Sequence, residues 1–348
     1  MGRVVRLGMR SVVYTEAGAP SVLHLVEREV PEPGPHEVRV RVEVSGVNPT
    51  DWKSRSGAAG PLPFPEVVPN QDGSGVVDAV GEGADNVSVG QRVWTAIAAY
   101  QNPHGGTAQQ FVVLPAERVF PLPDTASFEL GASLGVPAVT AHRALTVADG
   151  GPTSLQPGAL DGRVVLVAGG AGAVGHAAIQ LARWSGATVI TTVSSPEKAE
   201  LARAAGAHHV VNYREADTAA EVRAIAPDGV DLIVEVAPAQ NAELDLAVIR
   251  NHGTISVYAD NGGESVTLPI RNHFALNVRY QFLLLYTVGI EAITTAAADI
   301  NAAVEAGALP IGDEAGLPLS FFDLAQAADA HAAVEDGVVG KVLIRVAS

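Results

Sequence analysis

The stretch VVLVAGGAGAVGHAAIQLA (residues 164–182) joins an apolar run to a helical pattern through a glycine-rich turn. The turn holds the spacing Gly-x-Gly-x-x-Gly, which binds a dinucleotide when it follows a strand and opens a helix. We predict that Gly170 permits a tight turn, that Gly172 lets the backbone approach a pyrophosphate and that Gly175 lets helix and strand pack closely. The alternative is an ordinary βα turn without a ligand. The candidate cofactor contacts in this turn are Gly170, Ala171, Gly172, Ala173, Val174 and Gly175.

The residues after this turn repeat the same strand–helix alternation. Continuous apolar strands are predicted at ATVITTV (187–193), HHVVNY (208–213), VDLIVEVA (230–237) and GTISVYA (253–259). Helical patterns separate them, and VRYQFLLLYTV (278–288) is a last strand or its exit loop. Apolar strands that alternate with helices indicate a doubly wound parallel sheet, which is the Rossmann architecture that binds dinucleotides.

The N-terminal third has a different pattern. EVRVRVEVSGV (37–47) alternates charged and apolar residues, as in a half-buried strand, and further short strands follow between glycine turns. This pattern predicts a barrel-like β unit over residues 10–125. A helix is then expected after Ser127, which is a suitable N-cap residue. At the other end, FFDLAQAADAHAAVEDG (321–337) predicts a helix, and KVLIRV (341–346) predicts a strand that rejoins the first domain.

The amino-acid composition limits the classes of protein to which this chain can belong. A chain of 348 residues with 47% apolar residues suits two domains with large cores. The net charge of −16 argues against nucleic-acid partners and anionic membranes. We see no apolar run of about 18 residues and no signal peptide, and therefore expect no membrane span and a cytoplasmic location. The chain has no cysteine, which excludes disulfides, thiolate nucleophiles and Cys-ligated zinc.

The end of the second Rossmann strand predicts the type of dinucleotide. NAD-binding proteins usually place an acid there to bind the ribose 2′-hydroxyl, whereas this chain has Ser194 and Ser195. Lys198 follows in the first turn of the next helix, where a cation is unfavourable unless an anion such as a 2′-phosphate binds beside it. We therefore predict NADPH, held by Ser194, Lys198 and either Tyr213 or Arg214. The alternative is an ordinary solvated lysine.

Four segments now carry a family resemblance. They are SGVNPTDWKSRSG (45–57), GSGVVDAVGEGADNVSVGQRV (73–93), AGGAGAVGHAAIQLA (168–182) and AHAAVEDGVVGKVLI (330–344). Together they resemble the zinc-free medium-chain dehydrogenases/reductases, within which they are most similar to the quinone oxidoreductases of the zeta-crystallin type. The resemblance covers nearly the whole chain.

The resemblance implies a GroES-like domain over residues 1–130 and 310–348 and a Rossmann domain over residues 131–309, with a cleft between them. It also implies a homodimer that pairs through the last Rossmann strand. The implied reaction is hydride transfer from NADPH to quinones or related α,β-unsaturated carbonyls. The alternatives are an enoyl or alkenal reductase of the same superfamily and a non-catalytic NADPH-binding protein, either a sensor or a crystallin-like protein.

The resemblance also implies roles for single residues. Asn48 would lie near the nicotinamide and substrate, and Thr140 would face the nicotinamide. Lys53 stands where many relatives have tyrosine. It could stabilise developing enolate charge, or it could be a surface lysine or pair with an acid such as Asp51. The remaining implied cofactor contacts are Ser194, Lys198, Tyr213, Phe282, Leu284 and Lys341.

The segment PNQDGSG (69–75) bears on the metal question. In zinc-bearing relatives this segment resembles Gly-His-Glu, with the histidine as a metal ligand. This chain has Asn70, Gln71 and Asp72 there. We therefore expect no catalytic metal, and expect this loop to serve as a wall of the site in which Gln71 or Asp72 forms hydrogen bonds.

Overall fold

The computed structural model describes residues 8–347 and contains two compact units. The first runs to Val136 and resumes at Leu319, and the second spans Pro137–Pro318. The divisions therefore lie after residues 136 and 318, somewhat downstream of the expected boundaries at 130 and 309. The first division falls inside a helix, Phe128–Leu145, so no loop marks it in the sequence.

The N-terminal segment consists mainly of strands. They are β1 (Gly8–Val13), β2 (His24–Glu29), β3 (Glu37–Val47), β4 (Asp72–Val80), β5 (Arg92–Thr95), β6 (Phe111–Pro115) and β7 (Val119–Pro121). In β3 the side chains of Val38, Val40 and Val42 are buried while those of Arg39 and Arg41 lie outside the core, as the predicted alternation requires.

Two helices belong wholly or partly to this segment. Helix α1 (Pro49–Ser56) was not predicted; it begins with a proline at its first position and carries Asp51 in its first turn, both favourable at a helix start. Helix α2 (Phe128–Leu145) begins as predicted, because the Ser127 hydroxyl accepts the N–H of Leu130 at 3.1 Å.

The second unit alternates strands and helices. Its strands are β8 (Val164–Ala168), β9 (Thr188–Val193), β10 (His209–Asn212), β11 (Val230–Glu235), β12 (Ile249–Val257) and β13 (Arg279–Phe282). Its helices, besides the end of α2, are α3 (Ala173–Trp184), α4 (Pro196–Ala204), α5 (Thr218–Ile225), α6 (Pro238–Val248), α7 (Ile270–Ala275) and α8 (Ile290–Glu305).

These six strands form one parallel sheet in the order β10-β9-β8-β11-β12-β13. The direction of the strand order reverses between β8 and β11. Doubly wound sheets bind their ligands in the crevice at this point of reversal. Leu166, Ile190 and Ile233 of the central strands are almost fully buried because helices cover both faces. The structure confirms the predicted doubly wound sheet.

The tail completes the first unit with β14 (Leu319–Asp323), helix α9 (Ala327–Glu335) and β15 (Lys341–Arg345). The first sheet has the order β14-β15-β3-β4-β5-β7, and β6 also pairs with β3. The start of the predicted tail helix was wrong. Phe321 and Phe322 lie in β14, parallel to β15, and the helix begins six residues later than predicted, at Ala327.

No helix within the described residues is both long and apolar enough to cross a bilayer.

Candidate functional site

The glycine turn after β8 has the conformation of a tight βα turn. Gly169 has a φ of 69°, so Gly169, and not Gly170 as predicted, is the left-handed residue of the tight turn. A Cβ on Gly170 would lie 2.1 Å from Thr191 Oγ1, so this glycine instead admits close packing on β9. A Cβ on Gly175 would lie 2.4 Å from the Gly169 oxygen, as expected for close helix–strand packing. The adjacent glycines at positions 169 and 170 are the sequence signal that could have identified Gly169 as the left-handed residue.

The N-terminus of α3 offers donors to an anion. Gly172 is the N-cap residue and has no side chain that could accept from the first turn. Ala173, Val174 and Gly175 form that turn, and the amides of a first helical turn have no partner within the helix. A Cβ on Gly172 would meet only the Gly169 oxygen, at 3.5 Å. The turn therefore leaves room for a phosphate beside its backbone.

The residues predicted to bind a 2′-phosphate lie together at the ends of β9 and β10. Lys198 Nζ donates to Ser194 Oγ at 3.1 Å, and the Ser195 hydroxyl accepts the Lys198 N–H at 3.3 Å as the N-cap of α4. Tyr213 is placed beside Ser194 because its N–H donates to the Val193 oxygen at 3.1 Å. The Tyr213 side chain and Arg214 are exposed.

The turn after β11 borders the glycine turn and contains a buried acid that sequence reasoning missed. The Glu235 carboxylate accepts the Ala237 N–H and Asn241 Nδ2, and so fixes the turn. Val236 packs against Gly169. Asp245 on α6 lies beside Glu235, and its pKa is raised to about 9 by burial and by the neighbouring carboxylate. Nothing in the local sequence distinguishes these acids from solvated ones.

In the first unit, Asn48 belongs to a buried cluster with two charged side chains. Its Oδ1 accepts from Lys341 Nζ at 2.7 Å, and its Nδ2 donates to Asp72 Oδ2 at 2.7 Å. Lys341 Nζ also contacts Asp72 Oδ2 at 3.0 Å, with both side chains buried. The second oxygen of Asp72 accepts the Val136 N–H at 2.7 Å. We name Asn48, Asp72 and Lys341 the amide–ion-pair cluster.

Asp51 lies next to this cluster. Its carboxylate accepts the backbone N–H groups of Asn48 at 2.7 Å and of Gln71 at 3.1 Å. Burial, together with the Asp72 charge, raises the pKa of Asp51 to about 7. Asp51 and Lys53 are two positions apart on α1 and point in different directions. Lys53 is half-buried.

The other predicted site residues belong to the second unit. Thr140 is buried on α2. Phe282 ends β13 and Leu284 follows it, with exposed fractions of 57% and 56%. Both therefore lie at the carboxyl end of a sheet strand, as do the glycine turn and Ser194.

The loop before β4 is held by hydrogen bonds within the first unit. Gln71 Oε1 accepts the Ala99 N–H at 3.1 Å. Within residues 8–347, no three His, Cys, Asp or Glu side chains are grouped so that they could hold a metal ion. Asp72 is used by the amide–ion-pair cluster described above.

His176, on the helix that follows the glycine turn, provides a pH-dependent prediction. Its Nε2–H donates to the Ala315 oxygen at 2.8 Å, and burial lowers its pKa from 6.5 to about 4. Below about pH 6.5, His176 is protonated in the unfolded state but stays neutral in the folded state. The free energy of unfolding therefore falls as the pH drops below about 6.5.

We expect His176→Gln, which keeps a donor for Ala315, to remove part of this acid sensitivity. Between neutral pH and about pH 4.5, the wild-type free energy of unfolding should fall by roughly 2–3 kcal/mol more than that of the variant. Urea titrations at both pH values measure the difference. Equal losses in the two proteins would contradict the assignment.

Comparison with known proteins identifies the family. The family model for the alcohol dehydrogenase GroES-like domain matches residues 34–124, and the model for zinc-binding dehydrogenases matches residues 173–302. A quinone oxidoreductase of Rattus norvegicus is 32% identical over 342 residues, and one of Homo sapiens is 30% identical over 343 residues; each match covers 97% of both chains.

A solved structure agrees with these matches. A mycobacterial protein, solved as a complex with NADPH, is 31% identical and superimposes with a TM-score of 0.80 over 97% of this chain and 99% of that chain. The similarity thus spans both units and the tail, and the GroES-like match confirms the predicted class of the N-terminal domain. The chain therefore belongs to the quinone oxidoreductase family, the zeta-crystallin-like group of the medium-chain dehydrogenases/reductases.

Proposed function

We propose that this protein is an NADPH-dependent quinone oxidoreductase, which transfers a hydride to quinones or related α,β-unsaturated carbonyls without zinc. The observation that carries the proposal is the similarity to quinone oxidoreductases over 97% of the chain. We also propose that the two functional domains divide near residues 130 and 309. Helix α2 crosses the first of these limits.

The choice of NADPH is supported by the residues after β9. Lys198 and Ser194 already contact each other at 3.1 Å, so an ammonium and a hydroxyl are held together where a 2′-phosphate would bind. Tyr213 stands beside them. The uncapped first turn of α3 would hold the pyrophosphate. The further proposed cofactor contacts are Asn48, Thr140, Ser195, Phe282 and Leu284. The resemblance also implied Lys341, but its ammonium donates to Asn48 and Asp72.

The proposed mechanism assigns most of the catalytic effect to orientation. When bound, NADPH supplies the hydride, and the carbonyl oxygen of the acceptor then gains negative charge and a proton. The Asn48 carboxamide would donate a hydrogen bond to that oxygen, and the Lys53 ammonium would stabilise its charge. Holding both reactants in a reactive geometry accounts for as much as about 7–11 kcal/mol of a barrier.

Independence from zinc is proposed from the chemistry of the side chains. Zinc in proteins is bound by thiolates, imidazoles and carboxylates. Asn48 and Gln71 offer neutral amides instead, and the Asp72 carboxylate is already paired with Lys341 at 3.0 Å. An electron-poor acceptor such as a quinone accepts hydride without a Lewis acid.

We also propose a homodimer in which β13 pairs with its copy. β13 is the last strand of the sheet order, so it has one side without a partner strand among the described residues. A sheet edge of this kind can pair with another chain. A cytoplasmic location is proposed from the sequence alone.

The test is NADPH oxidation by the purified protein against quinones, enones and enoyl thioesters, with NADH as the control cofactor. We expect turnover with quinones and enones, faster with NADPH, and unchanged by a chelator. Turnover confined to thioesters would favour an enoyl reductase instead. Tight NADPH binding without any turnover would favour a non-catalytic protein, and chelator-sensitive activity restored by zinc would overturn the zinc-free mechanism.

A further inference from the structure

We propose that Lys341 and Asp72 are positioning residues, which fix the Asn48 carboxamide so that its second Nδ2–H donates to the carbonyl oxygen of the acceptor. The inference rests on the proposed function and goes beyond it, because it assigns Lys341 to the amide and not to direct contact with the cofactor.

The sheet register brings the three residues together. β15 runs antiparallel to β3 with Val342 opposite Val47, which places Lys341 beside Asn48 at the end of β3. β4 lies on the other side of β3, with Asp72 opposite Gly46. The cluster thus combines three distant segments on neighbouring strands.

The charges select one orientation of the Asn48 amide. Its oxygen accepts from the Lys341 ammonium at 2.7 Å, and its nitrogen donates to the Asp72 carboxylate at 2.7 Å. A flipped amide would place its NH2 group against the ammonium and its oxygen against the carboxylate. Both contacts would then be repulsive, so the flipped form is excluded. A carboxamide nitrogen carries two hydrogens; Asp72 accepts one of them, and the other is the one that we assign to the ligand.

The surrounding backbone leaves room for the charged groups. A Cβ on Gly46 would lie 3.0 Å from Lys341 Cε and 2.2 Å from the Ala132 oxygen. A Cβ on Gly135 would lie 2.2 Å from Asp72 Oδ1. Glycine at both positions thus lets a buried ion pair reach the amide. Charged groups without exposure to water are costly unless they are paired and hydrogen-bonded. Here the Asp72 carboxylate accepts from Asn48, Lys341 and the Val136 N–H, and the Lys341 ammonium donates to Asn48 and Asp72.

The fixed orientation of the amide gives the arrangement a chemical consequence. Because Lys341 and Asp72 hold the amide in place, its second N–H needs no reorganisation when charge develops on the acceptor. The donor would gain strength as negative charge develops on the acceptor oxygen, so its effect should fall on kcat more than on KM.

The test compares pair-neutralised and control variants. Lys341→Met alone would leave the buried Asp72 carboxylate without its ionic partner. The informative variant is therefore Asp72→Asn/Lys341→Met, which removes both charges at similar side-chain volume. Its matched control is Arg39→Met/Asp78→Asn, an ion pair of 2.6 Å in the same unit. We expect the cluster variant to lower kcat with a quinone by roughly 10–100-fold, as for loss of a charge-assisted hydrogen bond. The KM for NADPH should stay within about twofold, and the control should match the wild type.

A double-mutant cycle with Asn48→Ala separates positioning from general structure. If the pair acts through the amide, adding Asn48→Ala to the cluster variant should lower kcat little further. Additive losses, a wild-type kcat in the cluster variant, or a raised KM for NADPH with unchanged kcat would each overturn the proposal.

A second readout does not depend on turnover. In protein labelled with ¹⁵N-asparagine, the two Nδ2 hydrogens of Asn48 should give well-separated signals that exchange slowly, assigned by their loss in Asn48→Ala. The cluster variant should lose this protection, and unchanged signals would overturn the positioning role. If the wild type oxidises no NADPH with any acceptor, the proposed function fails, and the amide signals still decide whether Lys341 and Asp72 fix Asn48.

Discussion

We expect Lys198→Ala to raise the KM for NADPH by roughly 10–100-fold, the effect of losing one charge-assisted hydrogen bond, while the KM for NADH changes little. The reason is that the Lys198 ammonium lies 3.1 Å from Ser194 Oγ, where it would contact the 2′-phosphate that only NADPH carries. Steady-state kinetics with both cofactors measure the change in preference.

Two controls sharpen this result. Lys198→Arg keeps the charge and should retain most of the preference for NADPH. Arg203→Ala removes a cation from the last turn of the same helix, where Arg203 contacts Glu200, and should leave both KM values near wild type. If Lys198→Ala weakens NADPH and NADH equally, the residue does not select the phosphate.

The second large effect is expected at Gly175. In Gly175→Ala the new methyl group would lie 2.4 Å from the Gly169 oxygen and 2.9 Å from the Gly170 Cα. Both are backbone atoms, so the helix must move away from the turn. Overpacking of this kind lowers the free energy of unfolding by about 1–3 kcal/mol. We expect weaker NADPH binding as well, because the same movement displaces the first turn of α3.

Gly172→Ala is the matched control, three residues away in the same turn. Its methyl group would meet only the Gly169 oxygen at 3.5 Å, an ordinary contact. We expect wild-type stability in urea, together with reduced NADPH affinity measured by calorimetry, since the methyl group would occupy the space proposed for the phosphate. Equal unfolding free energies for Gly175→Ala and the wild type would show that this turn tolerates a side chain.

The sequence predicts the second unit well because its signals are local. The central strand β8 is a short continuous apolar run, and some helices begin at a residue that favours such a start, as Ser195 does for α4 by accepting the Lys198 N–H. The grouping of Ser194, Lys198 and Tyr213 also followed from strand order, since β9 and β10 are neighbours.

The amide–ion-pair cluster could not be predicted in the same way. Lys341 and Asn48 are 293 positions apart, and their contact depends on the register between β15 and β3. No local pattern determines that register. The family resemblance placed Lys341 near the cofactor, but it did not indicate Asp72 as its partner. The phenylalanines of β14 were assigned to a helix because the alanine-rich pattern that follows them is strongly helical.

The return of the tail to the first sheet has a consequence for biosynthesis. The second unit is one uninterrupted segment, Pro137–Pro318, and can fold once that segment has left the ribosome. The first sheet needs β15 beside β3, so it must wait for residues made almost three hundred positions later. During translation, Val44–Val47 of β3 therefore lack their partner strand until the tail is made, whereas β6 can already pair with Glu37–Arg41. A short open edge of this kind is a site where a nascent chain can aggregate.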